Sequence, residues 1–300
     1  MALKQIKNKI VATLKTGKVT KAMEAVSAVK MRKSQQKAFV GRPYVHSAMR
    51  ILSRLSESQD GLSHAFAQKK ETVSDLIVIV TSDKGLAGSV NSAVLKKVEE
   101  LFKGDKVVDT ICIGRKATEF VTRLKKEVVT SFVNIRDDVS LADVQNISAL
   151  VIDEFKSGKY TTVKVVYQNF ISTFEQEPTM RQILPIDPAE IEYIMHGIKP
   201  KSGKWSDSEV TTDSQILYTI EPSTEEVLNA LIPQLVQIMI YHALIESKAC
   251  EHSARMVAMK NATDNSKEMA RSLTLKYNKA RQAAITAEVA EITGGMEAMK

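Results

Sequence analysis

The last quarter of the chain holds a stretch of roughly seventy residues, from Ser223 to about Thr293, with no glycine and one proline, Pro233. As one helix at about 1.5 Å per residue it would run roughly 100 Å, several times the usual globular helix. A helix that long is unstable alone, so its apolar spacing should show what it leans on. Alternate steps of three and four from Leu228 land on Leu231, Leu235, Ile238, His242, Ile245, Ala249, His252, Met256, Met259, Thr263, Ser266, Ala270, Leu273, Tyr277, Ala280, Ala284 and Ala287. That is a heptad seam, rich in Leu and Ile at its start and thinning to small or polar residues. Ser223 with Glu226 fits a capping box, and Thr224, Glu225 and Glu226 suit a helix start. Pro233 predicts a kink or a late start, and Gly294 with Gly295 predict the end.

A second long helix is expected from Leu3 to about Glu57. Its apolar stripes are Ile6, Ile10 and Leu14, then Val19, Ala22, Met23, Val26 and Val29, with Gly17 between them and a break at Gly41 and Pro43. Gly61 to Ser74 reads as a linker. Beyond it the texture changes to short apolar runs alternating with helical patterns. Strands are expected at Leu76–Val80, Val107–Ile113 and Val128–Phe132, and helices at Asn91–Phe102, Arg115–Lys125 and Leu141–Phe155. Tyr160–Phe174 reads as a long strand and Thr179–Ile186 as its antiparallel return, and Gly197–Asp213 as a long loop bridging to Ile216–Ile220. The expected fold class is α/β, with N- and C-terminal helices in a long antiparallel coiled coil (1–60 and 221–300), a Rossmann-like domain inserted at 75–195, and linkers at 61–74 and 196–220.

Charge is unevenly placed. The net charge is +7, yet up to Arg42 there are eleven Lys or Arg against the single acid Glu24, so the remainder is slightly acidic and the basic helix asks for an acidic partner. Lys30, Arg32, Lys33 and Lys37 fit either that role or a merely solvated face. An aromatic share of 5% suits long helices better than sandwiched sheets. Two cysteines, Cys112 and Cys250, are too few for a disulfide framework and point to a reducing, cytoplasmic compartment. No secretory signal and no run of eighteen apolar residues is present, which predicts a chain soluble by itself.

The loop Ser82-Asp83-Lys84-Gly85-Leu86-Ala87-Gly88 follows a strand and opens a helix, where an α/β fold would hold a phosphate. It carries neither the three-glycine dinucleotide fingerprint nor the phosphate-loop spacing, so a tight structural turn is expected and no direct nucleotide binding. His46, His64, His196, His242 and His252 have no metal-ligand spacing, and the last two are expected as seam or solvent residues. No nucleophile elbow is present, and no cysteine has a nearby histidine. Three classes follow: a coiled-coil structural protein, a nucleotide-dependent α/β enzyme with coiled-coil arms, and a nucleic-acid binder, the last without base-stacking aromatics.

The run VTKAMEAVSAVKMRKSQ (Val19–Gln35), GRPY at Gly41–Tyr44, the SDKGLAG loop, RMVAMKNATDN (Arg255–Asn265) and YNKARQAAITAEVAEI (Tyr277–Ile292) together resemble the γ subunit of the F-type ATP synthase, collinearly from end to end. The resemblance implies a central-stalk rotor without catalysis or cofactors of its own. Its coil would penetrate a hexamer of α and β subunits, with the globular part beside the ε subunit on the ring of c subunits. It would couple transmembrane proton flow to ATP synthesis or hydrolysis, as a peripheral protein on the cytoplasmic face of the membrane. No metal site and no nucleic-acid partner is implied. Carried over by motif, the contact or coupling residues are Lys21, Met23, Lys30, Arg32, Lys33, Arg255, Arg281, Gln282, Thr286, Glu288 and Glu291. The sequence departs from the family at Lys15-Thr16-Gly17, at Ala87 where cysteine is common, and in the Gly294-Gly295-Met296 tail. The first of these is expected to loosen the N-terminal helix, and no thiol control of the plant type is implied.

Overall fold

The computed structural model describes residues 3–40, 74–104, 106–186 and 223–298. The expectations for 41–60, for the loop 197–213 and for Ile216–Ile220 lie outside them. Two compact units emerge, Met1–Ser27 with Arg255–Lys300, and Ala28–Ala254. Two long helices contribute to both units: α1 (Leu3–Val40) and α5 (Thr224–Ala298).

The larger unit is built on a five-stranded sheet of β1 (Ser74–Val80), β2 (Val107–Ile113), β3 (Val128–Phe132), β4 (Thr162–Phe170) and β5 (Gln176–Leu184), in the order β3-β2-β1-β4-β5. β1 pairs in parallel with β2 and β4, β2 in parallel with β3, and β5 returns antiparallel on β4. Their order explains their composition. β1 is central and covered on both faces, hence its unbroken Leu-Ile-Val-Ile-Val run. β5 lies at an edge, where Pro178 needs no ladder donor.

Helices α2 (Val90–Phe102) and α3 (Arg115–Arg123) cover one face through Val94, Val98, Ala117 and Val121, against Ile77, Ile79, Cys112 and Val166. The other face is covered by α4 (Leu141–Lys156) and the first part of α5, through Val144, Ile147, Val151 and Phe155 with Leu228, Ile232, Leu235 and Met239. α4 opens on a capping box, with Ser140 N–H donating to Asp143 Oδ2 at 2.9 Å and Asp143 N–H to Ser140 Oγ at 3.4 Å. Here α5 buries a broader face than the predicted seam: Ile232, Val236 and Ile240 join it, because it packs on a layer and not on one helix.

α5 starts where expected, with Glu226 N–H donating to Ser223 Oγ at 3.2 Å. Pro233 neither ends nor delays it. The proline removes one donor, and the buried Leu228, Ile232, Leu235 and Val236 hold the helix on both sides of it. The expected stop at Gly294 and Gly295 is overturned: α5 runs through both to Ala298. A glycine costs a helix only about 1 kcal/mol relative to alanine, so it weakens those turns without forbidding them.

In the smaller unit, α1 and α5 pack antiparallel. Thr13 faces Met269, Gly17 faces Ser266 and Thr20 faces Thr263, so one number falls as the other rises. On α5 the predicted seam holds as far as Ala284: Met259 is buried, and beyond Lys260 the residues drawn in from solvent are Thr263, Ser266, Ala270, Leu273, Tyr277, Ala280 and Ala284, with Ala262 beside them, whereas the expected Ala287 is exposed. On α1 the expected stripe is corrected. Leu14, Val19, Val26 and Val29 are half or more exposed, and the inward positions are Ile6, Ile10, Thr13, Gly17, Thr20 and Ser27. Small residues let the backbones approach closely: a Cβ on Gly17 would stand 3.3 Å from Ser266 Cβ. So Gly17, expected to loosen the helix, is a point of close contact with α5. Thr20 and Thr263 share a buried 2.7 Å hydroxyl hydrogen bond beside it.

One turn of the sheet tolerates no side chain. Gly114 has φ +95°, and a Cβ there would fall 2.1 Å from the Thr81 carbonyl oxygen, which is backbone and cannot swing aside. Gly114→Ala is expected to cost about 3 kcal/mol or more in urea unfolding, whereas Gly85→Ala, with no atom within 4 Å of its Cβ, should stay within about 0.5 kcal/mol. Equal midpoints for the two variants would contradict this.

Candidate functional site

In a parallel sheet, ligands bind in the crevice outside the carboxyl ends of the strands. Here that crevice is filled from within. Residues 242–253 of α5 are buried on all sides, and Leu244, Ser247, Lys248 and Glu251 close over Val80, Thr81, Ile113 and Gly114, leaving about 10 Å³, room for one water at most. Cys250 Sγ donates to Gln168 O at 3.3 Å and Ser253 Oγ to Thr173 O at 2.6 Å, so the helix is bonded to the end of β4 and the turn after it.

The SDKGLAG loop is tied inward. Ser82 N–H donates to Asn91 Oδ1 at 3.0 Å, Asn91 Nδ2 to Ser82 Oγ at 2.7 Å, and Arg115 N–H to Asp83 Oδ1 at 3.0 Å. Leu86 and Gly88 hold positive φ, and Ala87 is buried. The loop is a structural turn. Among the described residues no group of three His, Cys, Asp or Glu side chains is placed to hold a metal. Cys112 is buried, and burial pushes its thiol up to about 11, far from a reactive thiolate. Burial, with the charge of Glu246, likewise raises Tyr167 well above the usual phenol range, so it stays neutral.

The eleven residues singled out by motif divide by exposure. Arg32 and Lys33 project into solvent. Lys21, also exposed, pairs with Glu24 at 3.1 Å, one turn on, and Met23 is half-buried. Lys30 is engaged within the chain, 2.6 Å from Asp137, and its neighbour in the basic run, Lys37, pairs with Asp138 and donates to Val139 O at 3.0 Å. Arg255 is buried. Arg281, Gln282, Thr286, Glu288 and Glu291 are all exposed on the last turns of α5, where Thr286 bonds only back to Gln282 O at 2.9 Å.

Sequence reasoning missed two features. The first is the outward apolar face of the coil. Val19, Val26 and Val29 on α1 and Ile285, Val289, Ile292 and Met296 on α5 each keep more than half their surface in solvent, the latter four spaced as one helical stripe. The heptad-spaced Thr13, Gly17, Thr20 and Ser27 were the available signal that the valines face elsewhere. The second is the carboxylate of Asp137, met by Lys30, Lys248 at 3.6 Å and His252 at 3.4 Å. His252, and then Lys30, hold its pKa far below the usual carboxylate range. The pairs of Asp137 with Lys30 and Lys248 are therefore fully present above the ordinary carboxylate pKa and are lost only as pH falls below it. His242 and His252 are both buried, the first 3.7 Å from Glu246.

The chain thus combines a helix pair whose seam carries Gly17, Thr20, Thr263 and Ser266 among apolar residues such as Ile6 and Met259, and whose outer face keeps exposed valines, with an α/β domain whose ligand crevice is filled by α5. A family model described as ATP synthase matches residues 2–299. The ATP synthase gamma chain of Heliobacterium modesticaldum is 38% identical over 297 residues, covering 99% of each chain, and that of Roseiflexus castenholzii is 37% identical over 302 residues, covering 99% of this chain and 98% of its own. The fold is shared with a chain of the Euglena gracilis mitochondrial ATP synthase (TM-score 0.65, 18% identity, 99% of this chain and 94% of that one). It is also shared with one from the central stalk and c-ring of the Tetrahymena thermophila enzyme (TM-score 0.58, 24% identity, 81% and 99%). The chain belongs to the ATP synthase gamma chain family.

With the crevice closed and the glycine loop bonded inward, calorimetric titration of the purified chain with ATP or NAD is expected to show no binding at micromolar concentrations. Saturable heat that disappears in a Gly88→Ala variant would contradict the assignment of this loop as structural.

Proposed function

We propose that the chain turns inside an apolar sleeve of partner subunits and transmits force without catalysing anything itself. The observation that carries this is the inverted coil. A helix pair left in water would put its valines in the seam and its threonines outside, at about 1.5–3 kcal/mol for each large side chain buried. Here the reverse arrangement leaves the apolar surface for another protein. An asymmetric shaft presenting different side chains to equivalent catalytic sites biases each in turn, so rotation becomes a population shift driven by differential contact.

In this reading the sleeve is the hexamer of α and β subunits, with ATP chemistry on the β subunits. The remaining partners are the ε subunit and the c-subunit ring, at the cytoplasmic face of the membrane. Against the alternative of a nucleotide-dependent enzyme, α5 fills the crevice at the carboxyl ends of the strands among the described residues. Of the basic run, Arg32 and Lys33 are the groups turned outward for acidic loops of the hexamer, with Lys21 and Met23 earlier on α1. On α5, Arg281, Gln282, Thr286, Glu288 and Glu291 would meet the sleeve where the helix is almost wholly exposed.

Val26→Gln with Val29→Gln is expected to leave the urea stability of the isolated chain within about 0.5 kcal/mol, because neither side chain is buried there. The same pair should lower ATP turnover of the reconstituted complex several-fold. A complex unaffected by the pair would argue against the sleeve. Arg281→Ala should retain assembly and slow turnover about tenfold or more, the loss of a charge-assisted contact worth about 1.5–3 kcal/mol. Unchanged turnover would remove Arg281 from the contact set.

A further inference from the structure

The segment between β3 and α4 lies against both long helices within the larger unit. Ile135 O accepts from Lys248 Nζ at 3.3 Å, Val139 O from Lys37 Nζ at 3.0 Å, and Leu141 O from Gln237 Nε2 at 2.9 Å. At its centre Asp137 divides its carboxylate between the helices. Oδ2 meets Lys30 of α1 at 2.6 Å, while Oδ1 faces Lys248 at 3.6 Å and His252 at 3.4 Å, both on α5. Glu251 of α5 stands 3.6 Å from Lys248, and the segment's other charges are spent elsewhere, Asp138 on Lys37 and Arg136 on Asp143. Lys248 is almost fully buried, so its attraction to Asp137 is screened far less than a surface pair, and His252 is buried beside the same carboxylate oxygen.

We propose that Asp137 is a positioning residue for rotary coupling: one carboxylate that pins the β3–α4 segment to α1 and α5 together, so that torque on the α/β domain reaches both helices instead of shearing one past the other. The proposal rests on the rotor reading. An amide at this position would keep the shape but lose the charge that Lys30, Lys248 and His252 converge on. Under load, the domain would then slip against the helices.

The test uses the whole complex reconstituted in vesicles, reading protons pumped per ATP hydrolysed. Asp137→Asn is expected to keep assembly and hydrolysis while the ratio falls about threefold or more, with Asp137→Glu recovering most of it. Adding Lys30→Gln to Asp137→Asn should do no further harm, since both break one interaction. A ratio equal to the parent's, or additive losses in the double variant, would overturn the proposal. If Asp137→Asn does not assemble, Lys30→Gln is compared with a change at the exposed Lys96 of α2, Lys96→Gln: a loss confined to Lys30→Gln supports the node, and equal or absent losses overturn it. A parent complex that hydrolyses ATP without pumping would instead overturn the rotor reading, and the node's role with it.

Discussion

Everything else about the coil depends on how closely its two helices approach. At Gly17 the absence of a side chain brings α1 against Ser266, and one heptad position on, Thr20 and Thr263 close a buried hydrogen bond. A seam of this kind gains less from apolar burial than a leucine seam would, since hydroxyls that bond to each other contribute only about 0.5–1.5 kcal/mol net. What it gains is a slender cross-section and an outer face left to Val19, Val26 and Val29. The pair is thus weakly self-sufficient, which suits the enclosure by partner subunits proposed for it.

The larger unit answers a different demand. A Rossmann-like sheet exposes a crevice that elsewhere holds nucleotides, and in this chain α5 is laid into it through Leu244, Ser247, Lys248 and Glu251. The same residues that would have lined a site now anchor a shaft. Composition alone would let α5 pass for a membrane span, at a mean hydropathy of 1.5 over its most apolar window, but 56% of that window is buried inside the fold, chiefly against the sheet and α4. Its apolar content serves a soluble-type core.

How much of this could be read from the residues follows from where the information sits. β2 and β3 begin and end at the residues expected, because each is a short apolar run closed by glycine, charge or polar punctuation. The seam of α5 beyond Met259 was equally legible, since its small residues alternate with charged ones. The α1 seam was not. Apolar residues are ordinarily assigned inward, and here Val19, Val26 and Val29 break that rule while Thr20 and Ser27 are buried, so valine spacing pointed to the wrong face. Asp137 was invisible for another reason: Lys30, Asp137, Lys248 and His252 are brought together only by the fold, and none belongs to a local motif. Of the motif-derived contacts, Arg32, Lys33 and the group from Arg281 to Glu291 lie in solvent, while Lys30 is held by the chain's own Asp137.

The central claim is mechanical, and rotation tests it most directly. A bead fixed to the exposed face of α3, through a cysteine placed at Lys116, reports the motion of the chain in an immobilised complex of α and β subunits supplied with ATP. The account predicts continuous turning in one direction, with three equally spaced dwells per revolution. ATP hydrolysis at full rate with the bead stationary or merely rocking would contradict it.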